Sequence, residues 1–316
     1  MHAVHIESFG GSEELVLVEM ADPKPGRGEA VIAIEAAGVG FMDVMVRQGL
    51  YPLVDAPGFI PGAELAGTVE SIGEGVQAEW VGRRVFAMPI TGGYADKVAL
   101  RLDQLFLIPD QVTAVQAVAL GVNGLVASFA LQRVSTQPSD KVLVRGASGG
   151  IGMLAVQIAA RIGCAVTAMT SSADRGRRLK ELGAAAFLDR TSDAAGELGS
   201  YDVIIDTVGG AEVGRFLGRL AANGRYVLCG GVQGPPPADF GASMVLNFHN
   251  SPSFLAFSLN SVGQPQIRPA LDTLFEQVAT GLLRPVVDSV LTLAQAPDAH
   301  ERLQAGQAFG KLVLAP

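Results

Sequence analysis

The fold follows from the stretch Lys141–Gly152, whose sequence is KVLVRGASGGIG and which joins an apolar segment to a cluster of glycines. Val142 and Val144 are typical of a buried strand, and the glycines permit a tight turn from that strand into a helix. Residues 151–162 place apolar side chains at helical spacing, which predicts one buried helix face. The first amides of such a helix and its dipole favour a bound anion. The stretch therefore predicts a strand, a turn and a helix that bind the pyrophosphate of a nucleotide cofactor.

The composition indicates a globular protein with more than one domain. The chain has 316 residues, of which 49% are hydrophobic and 17% charged, a length that favours two domains. Its net charge of −8 argues against nucleic acid as a partner, because phosphate binding needs a basic surface. Cys164 and Cys229 are the two cysteines, which favours a reducing cytoplasm over a disulfide scaffold. His2, His5 and Glu7 interrupt any apolar signal-peptide core.

One uncharged segment, Gln111–Gln132, is long enough to cross a membrane. Gly121, Asn123, Gly124 and Ser128 interrupt it with small or polar positions. We therefore expect a buried helix followed by a loop that lines a ligand cleft, in a soluble protein without a membrane partner.

The pattern of predicted secondary structure changes near residue 115. The first hundred residues contain short apolar segments between glycines and prolines, which predict strands at Glu29–Glu35, Leu65–Ile72 and Arg84–Met88. Strands and helices alternate beyond that point, which predicts a doubly wound parallel sheet of the α/β class. The predicted strands there are Lys141–Val144, Ala165–Met169, Tyr201–Thr207 and Gly224–Leu228, and the predicted helices are Gly150–Ile162, Asp174–Leu182 and Val213–Leu220.

Ligands of such sheets bind at the carboxyl ends of the strands. Glycines follow three of the predicted strands, in Gly146–Gly152, Val208-Gly209-Gly210 and Cys229-Gly230-Gly231. These three turns are expected to converge on the cofactor.

The regular alternation of strands and helices ends at Gly234–Pro237. An apolar run at Phe254–Leu259 predicts an edge strand, a helix is expected near Gln266–Thr280, and Lys311–Leu314 predicts a final strand. The tail is expected to return to the β-rich domain. The predicted domains are therefore residues 1–115 plus 265–316, with the parallel sheet of residues 116–264 inserted between them.

The end of the second strand of the sheet distinguishes between dinucleotides. A carboxylate there would bond the ribose 2′-hydroxyl of NAD, but the strand Ala165–Met169 is followed by Thr170-Ser171-Ser172. Arginines follow in the opening turns of the next helix, where a 2′-phosphate would offset their unfavourable interaction with the helix dipole. We expect Ser171, Ser172 and Arg175 to contact that phosphate, whereas Arg177 and Arg178 are equally compatible with a solvated helix face. The predicted cofactor is NADPH.

Motifs along nearly the whole chain resemble one family. Ala37-Gly38-Val39-Gly40-Phe41-Met42-Asp43 and Arg47-Gln48-Gly49-Leu50-Tyr51-Pro52 resemble "GVNFxD…R-x-G-x-Y-P". Pro61–Val69, Gly92–Ala95 and Tyr201–Gly209 resemble "PGxExAGxV", "GGYAE" and "YDVVxDxVG". Ala299-His300-Glu301 and Gly310–Leu314 resemble "AHExLExGxxxGKxVL". The chain thus resembles the medium-chain dehydrogenase/reductases, specifically their zinc-independent quinone oxidoreductase (zeta-crystallin-like) branch.

The resemblance implies a Rossmann sheet inserted into a GroES-like catalytic domain and a reaction without zinc. Zinc-dependent relatives place a Cys just before Phe41 and a His between Gly62 and Glu64, where this chain has Gly40 and Ala63. His300 is expected at a helix surface or in the core, and Asp43 is expected to hold the loop after the first β segment. The resemblance further implies a homodimer, formed by pairing of the Rossmann edge strand with its copy.

The resemblance also implies the site residues. Arg190 aligns with a phosphate-contacting Tyr of the family, and Lys311 either reaches the nucleotide phosphate or is an exposed strand residue. Tyr51 either donates a hydrogen bond to the acceptor or packs, and Val126 replaces a polar Thr. The residues expected around the acceptor and nicotinamide are Gly40, Phe41, Tyr51, Asn123 and Val126. The residues expected to bind the cofactor are Gly146, Ala147, Ser148, Gly149, Gly150, Ile151, Gly152, Ser171, Ser172, Arg175, Arg190, Val208, Gly209, Gly230, Gly231 and Lys311.

The implied function is NADPH-dependent reduction of quinones by hydride transfer. A quinone spreads the incoming charge over its ring and oxygens, so the absence of a clear general acid in the expected cleft fits this chemistry. Two alternatives stay open: reduction of an alkenal or enone C=C bond, and a non-enzymatic NADPH-binding structural or sensor protein.

Overall fold

The computed structural model describes residues 1–191 and 199–316. They form two compact units, one made of Met1–Val122, Phe275–Thr280 and Val286–Pro316, the other of Asn123–Leu274 and Gly281–Pro285. The first division lies inside a helix, seven residues beyond the boundary expected after residue 115.

The helices and strands are named in chain order. They are β1 His2–His5, β2 Val16–Glu19, β3 Glu29–Val39, α1 Phe41–Arg47, β4 Leu65–Ile72, β5 Arg84–Ala87, β6 Lys97–Arg101, β7 Leu105–Leu107, α2 Ala114–Arg133, β8 Lys141–Arg145, α3 Gly150–Ile162, β9 Ala165–Thr170, α4 Ala173–Glu181, β10 Ala186–Asp189, β11 Tyr201–Asp206, α5 Val213–Leu217, β12 Leu220–Leu228, α6 Ala242–Leu246, β13 Ser253–Ala256, α7 Gln264–Ala279, β14 Val287–Thr292, α8 Ala296–Gln304 and β15 Lys311–Ala315.

The first unit is built on a seven-stranded sheet. Its order is β14-β15-β3-β4-β5-β7, and β6 pairs with β3 outside that path. All its pairs are antiparallel except that of β14 with β15. Ile32, Leu65 and Val85 lie in a buried cluster on this sheet. The C-terminal strand β15 joins this sheet by pairing with β3, whereas β1 and β2 pair with each other in a separate two-stranded sheet.

The second unit contains a six-stranded parallel sheet, as predicted. Its order is β10-β9-β8-β11-β12-β13, and every neighbouring pair is parallel. The chain order reverses between β8 and β11, which is where open α/β sheets bind their ligands. Asp206 of β11 lies level with Arg145 of β8 and Leu228 of β12, so the three strands end together.

Helix α2 differs from the expectation of a helix followed by a loop. It continues without a break from Ala114 to Arg133, so the predicted loop is wrong. Gly121 serves packing, since a Cβ there would lie 2.1 Å from Cζ of the Phe86 ring. Within the described part of the chain α2 is the one helix long and apolar enough to span a membrane, and 78% of its apolar window is buried, as in core helices of soluble proteins.

Several further boundaries differ from the prediction, and β3 continues to Val39, four residues beyond its predicted end. Helix α5 ends at Leu217, where Gly218 is its C-cap, and Leu220 already begins β12. The edge strand β13 is shorter than the apolar run 254–259 and ends at Ala256. The β13 error arises because apolar residues continue beyond Ala256, and the α5 error because Gly218 was not interpreted as the end of the helix.

Candidate active site

The glycine turn after β8 has the geometry that the sequence predicts. Gly146 has φ +71°, and Gly149 is the N-cap of α3 in extended conformation. A Cβ on Gly152 would lie 2.3 Å from the Gly146 carbonyl oxygen, so only glycine allows α3 to approach the turn. A Cβ on Gly149 would meet nothing nearer than that oxygen at 3.5 Å, and Gly149, the N-cap residue of α3, makes no side-chain capping bond. These features leave an open cradle of amides that fits a pyrophosphate.

Two side chains flank this cradle. The hydroxyl of buried Ser148 bonds the hydroxyl of Thr170, which ends the neighbouring strand β9. The amide of buried Asn123 faces the start of α3, since a Cβ on Gly150 would lie 2.5 Å from Asn123 Nδ2. Ala147 is buried behind the turn and Ile151 is half-buried. The structure therefore brings Asn123 together with the predicted glycine turn.

The turns after β11 and β12 lie at the same edge of the sheet. Gly209 and Gly210 have φ +69° and +74°, conformations that favour glycine. A Cβ on Gly230 would lie 2.3 Å from the carbonyl oxygen of Thr207, so the end of β12 packs closely on the end of β11. Nothing lies within 4 Å of a Cβ on Gly231. Each of the three glycine turns thus presents backbone to the carboxyl edge of the sheet.

The region expected to hold a 2′-phosphate begins at the end of β9. Ser172 is the N-cap of α4 and accepts a hydrogen bond from the Arg175 amide at 3.3 Å. The Arg175 guanidinium Nη1 donates to Ser171 Oγ at 3.2 Å. The Arg190 amide donates to the Thr170 carbonyl at 2.9 Å, which places this exposed residue beside the same strand end. A predicted cluster of one arginine and two serines is therefore present, with Arg190 next to it.

Arg177 forms an ion pair with Asp174 on helix α4. The Arg177 guanidinium lies 3.2 Å from the Asp174 carboxylate, and both side chains are largely exposed. The pair fits the interpretation of Arg177 as part of a solvated face.

In the first unit Asp43 holds the start of α1. The Gly40 amide donates to Asp43 Oδ2 at 2.7 Å and the Ala63 amide donates to Oδ1 at 3.0 Å. Burial raises the pKa of the Asp43 carboxyl to about 6. Gly40 is the N-cap of α1, and Phe41 and Tyr51 are half-buried. The roles of Gly40, Phe41 and Tyr51 toward an acceptor remain predictions.

Lys311 is buried, so the alternative of an exposed strand residue is wrong. Only 4% of its surface is accessible, and its ammonium donates to Glu64 Oε1. Glu64 Oε2 accepts a hydrogen bond from the Val122 amide at 3.2 Å. The lysine stem runs across Gly38, where a Cβ would lie 2.7 Å from Lys311 Cε. A contact of Lys311 with the cofactor phosphate remains a prediction.

A buried polar cluster behind α1 was not predicted. The Tyr94 hydroxyl donates to Asp43 Oδ2 at 3.3 Å and lies 3.1 Å from His300 Nε2. His300 is fully buried in α8, and burial with nearby Arg47 lowers its pKa to about 3. Arg47 Nη2 donates to Gln304 Oε1 at 2.9 Å. Arg47, Tyr94 and His300 all belong to the motifs quoted above, which was the one signal of the cluster.

The described residues, 1–191 and 199–316, contain no group of three or more His, Cys, Asp or Glu side chains placed to hold a metal ion. Gly40 and Ala63, at the positions where zinc-dependent relatives carry ligands, have no donor side chains. The donor set present does not fit a catalytic zinc.

Two family models match the chain. Residues 26–137 match the alcohol dehydrogenase GroES-like domain, and residues 182–314 match a model described as a zinc-binding dehydrogenase. The first covers much of the seven-stranded sheet and the second covers part of the parallel sheet and the C-terminal strands.

Individual proteins match over the whole chain. The quinone oxidoreductase of Lama guanicoe is 30% identical over 327 residues, 99% of this chain and 97% of the relative. The structure of mycobacterial Rv1454c complexed with NADPH has a TM-score of 0.92 and 31% identity over all of both chains. A polyketide synthase of Streptomyces halstedii, GfsB, is 32% identical over 319 residues, 98% of this chain, but the chain spans only 6% of that protein.

The GroES-like sheet, the inserted parallel sheet and the glycine turn at its switch point define a medium-chain dehydrogenase/reductase. Within that class, the chain belongs to the zinc-independent quinone oxidoreductase family.

Proposed function

We propose that the chain reduces quinones with NADPH by hydride transfer and without zinc. One observation carries the proposal: an open glycine cradle adjoins a strand end that bears Thr170 and the Ser171–Arg175 pair instead of a carboxylate. The names of the relatives and the NADPH of the mycobacterial structure support it.

In this proposal the second unit binds the dinucleotide. The amides at the start of α3 bind the pyrophosphate, with Ser148 and Gly149 nearest to it. Ser171, Ser172 and Arg175 hold the 2′-phosphate, because charge-assisted hydrogen bonds to a phosphate are strong. The remaining proposed contacts are Gly146, Ala147, Gly150, Ile151, Gly152, Arg190, Val208, Gly209, Gly230, Gly231 and Lys311.

When bound, NADPH supplies a hydride from C4 of its nicotinamide ring to an electron-poor acceptor. The chain itself binds and orients the two reactants and excludes water from them. We propose five residues as contacts of the acceptor or the nicotinamide, which are Gly40, Phe41, Tyr51, Asn123 and Val126.

The reaction is tested by following NADPH oxidation with a panel of quinones and enones. We expect turnover with quinones and little with enones. Turnover of enones alone would replace the quinone proposal by an alkenal or enone reductase. Val126 bears instead on a non-catalytic role, since a polar cofactor contact of the family is absent there.

A non-catalytic role is the third outcome of the same panel. NADPH binding without oxidation against any acceptor would identify a structural or sensor protein gated by the cofactor. That outcome contradicts the enzyme proposal and leaves the cofactor proposal intact.

We also propose that two copies of the chain pair through β13. In the described part of the chain this strand pairs only with β12, so its other edge is unpaired. Val245, Leu246 and Phe248 precede it and are strongly exposed, Phe248 at 77%. Unpaired edges and large apolar patches are usually covered in native proteins. A second copy of the same edge would cover both.

We further propose that the protein works in the cytoplasm. The two cysteines, Cys164 and Cys229, are free, as expected in a reducing compartment.

A further inference from the structure

Arg145 places a charge inside the parallel sheet. It is the last residue of β8, it is 2% exposed, and its Nη1 lies 2.5 Å from Asp206 Oδ2. Taking both charges out of water is unfavourable. Arg145 Nε has no hydrogen-bond partner among the described residues, whereas both carboxylate oxygens of Asp206 are bonded. The surroundings of Asp206 show what the pair holds in place.

One carboxylate oxygen of Asp206 fixes the turn after β11. Oδ1 accepts hydrogen bonds from the amides of Val208 at 2.8 Å and Gly209 at 3.1 Å. The turn also contains Gly210, and both glycines have positive φ. The carboxylate therefore selects one conformation of a segment that would otherwise have many.

Two side chains hold the carboxylate itself in place through its other oxygen. Oδ2 accepts from Arg145 Nη1 and from the Tyr226 hydroxyl of β12. The Arg145 guanidinium lies 3.9 Å from the ring centroid of Phe216, in the helix that follows the turn. Arg145 is thus held against both strand β11 and helix α5.

The backbone of Arg145 joins the same two turns. Its carbonyl accepts from the Thr207 hydroxyl at 3.0 Å, and a Cβ on the next residue, Gly146, would lie 2.2 Å from that hydroxyl. The glycine turn after β8 and the turn after β11 therefore share Arg145 as a common support.

We propose that Arg145 is a positioning residue for the cofactor. Through Asp206 it holds the turn Val208–Gly210 in the conformation that receives the dinucleotide, although it is too deeply buried to touch the ligand. This inference rests on the proposed NADPH site and names a residue that determines its shape.

The test compares NADPH dissociation constants of folded variants, together with the KM of the acceptor. We expect Arg145→Met to raise the NADPH Kd at least about tenfold, a change equivalent to about 1.4 kcal/mol, with the acceptor KM nearly unchanged. Arg145→Lys keeps the charge but not the planar fork, so its Kd is expected between those of the wild type and Arg145→Met.

Tyr226→Phe provides a gentler variant, because it removes one donor to Asp206 and leaves the ion pair in place. Its NADPH Kd is expected to rise severalfold. Tyr201→Phe is the matched control, because Tyr201 begins β11, the strand that ends at Asp206. This variant should bind NADPH like the wild type.

The outcomes are distinct. A wild-type NADPH Kd in folded Arg145→Met, or in Tyr226→Phe if Arg145→Met does not fold, overturns the positioning role even when the unfolding midpoint falls. Failure of the wild type to bind NADPH overturns the proposed function and this inference with it.

Discussion

At the scale of single residues, His300 links the stability of the first unit to pH. Its folded pKa of about 3 lies below the usual 6.5, so the unfolded chain binds more protons between these values and stability falls as the pH drops through this window. We expect His300→Gln to lose this sensitivity, which amounts to about 2–3 kcal/mol between pH 7.5 and 4.5. Urea unfolding at the two pH values measures it.

Asp43 acts in the opposite direction but does not obscure the comparison. Its folded pKa of about 6 lies above 3.8, so its contribution to stability falls as the pH rises between these values. Asp43 is present in wild type and variant alike. His249→Gln is the control, because His249 is exposed. Equal pH dependence of wild type and His300→Gln would contradict the prediction.

Alanine substitutions at two glycines of the cradle are expected to affect stability and NADPH binding differently. Gly152→Ala forces a Cβ to within 2.3 Å of backbone, so we expect a loss of about 2–4 kcal/mol of stability together with NADPH binding. Gly149→Ala meets only an ordinary contact in the protein, so the fold should keep its stability while the methyl group obstructs the pyrophosphate. Thermal unfolding and NADPH titration of both variants separate the two roles. Wild-type binding by Gly149→Ala would show that the pyrophosphate lies elsewhere.

The site also shows which residues sequence reasoning can find. The glycines are predictable because backbone conformation and close approach leave few other residue types. Arg145, Tyr94 and His300 were not assigned their roles, because their partners are distant in sequence and a long polar side chain gives no local sign of where it bonds. The alternative of an exposed Lys311 was wrong for the same reason, since the burial of this lysine depends on its ion pair with Glu64.

At the scale of elements, α3 and β4 have the bounds that the sequence predicts, because their apolar periodicity and end signals coincide. The loop predicted after the start of α2 was wrong because Gly121 accommodates Phe86 and does not break the helix. Strand β10 and helices α1 and α8 were not predicted, since they are short and their faces are defined by tertiary contacts.

The edge strand β13 yields a prediction about assembly. We expect the wild type to have twice the mass of the 32.7 kDa chain, because β13 pairs with its copy. Ala256→Lys places a charge at the exposed end of this edge and should shift the protein toward the monomer, as measured by light scattering after size-exclusion chromatography. Val81→Lys alters an exposed apolar residue of the first unit and should leave the mass unchanged. A monomeric wild type would contradict the pairing.

At the scale of the whole molecule, the choice of dinucleotide determines how strongly a ligand stabilises the native chain. A ligand that binds only the folded state at about a hundredfold over its Kd adds about 2.7 kcal/mol to the free energy of unfolding. NADPH and NADH differ by the 2′-phosphate alone. Comparing how much each one stabilises the chain at equal concentration therefore tests whether Ser171 and Arg175 bind that phosphate. We expect NADPH to raise the unfolding midpoint more than NADH does.

Arg175→Met should remove most of this difference, because it deletes the guanidinium donor and leaves the Ser172 cap of α4 in place. Arg161→Met, an exposed change at the far end of α3, should preserve the difference. Greater stabilisation by NADH in the wild type would show that Ser171 and Arg175 do not form a 2′-phosphate site, and equal stabilisation would show that the chain does not distinguish the two cofactors.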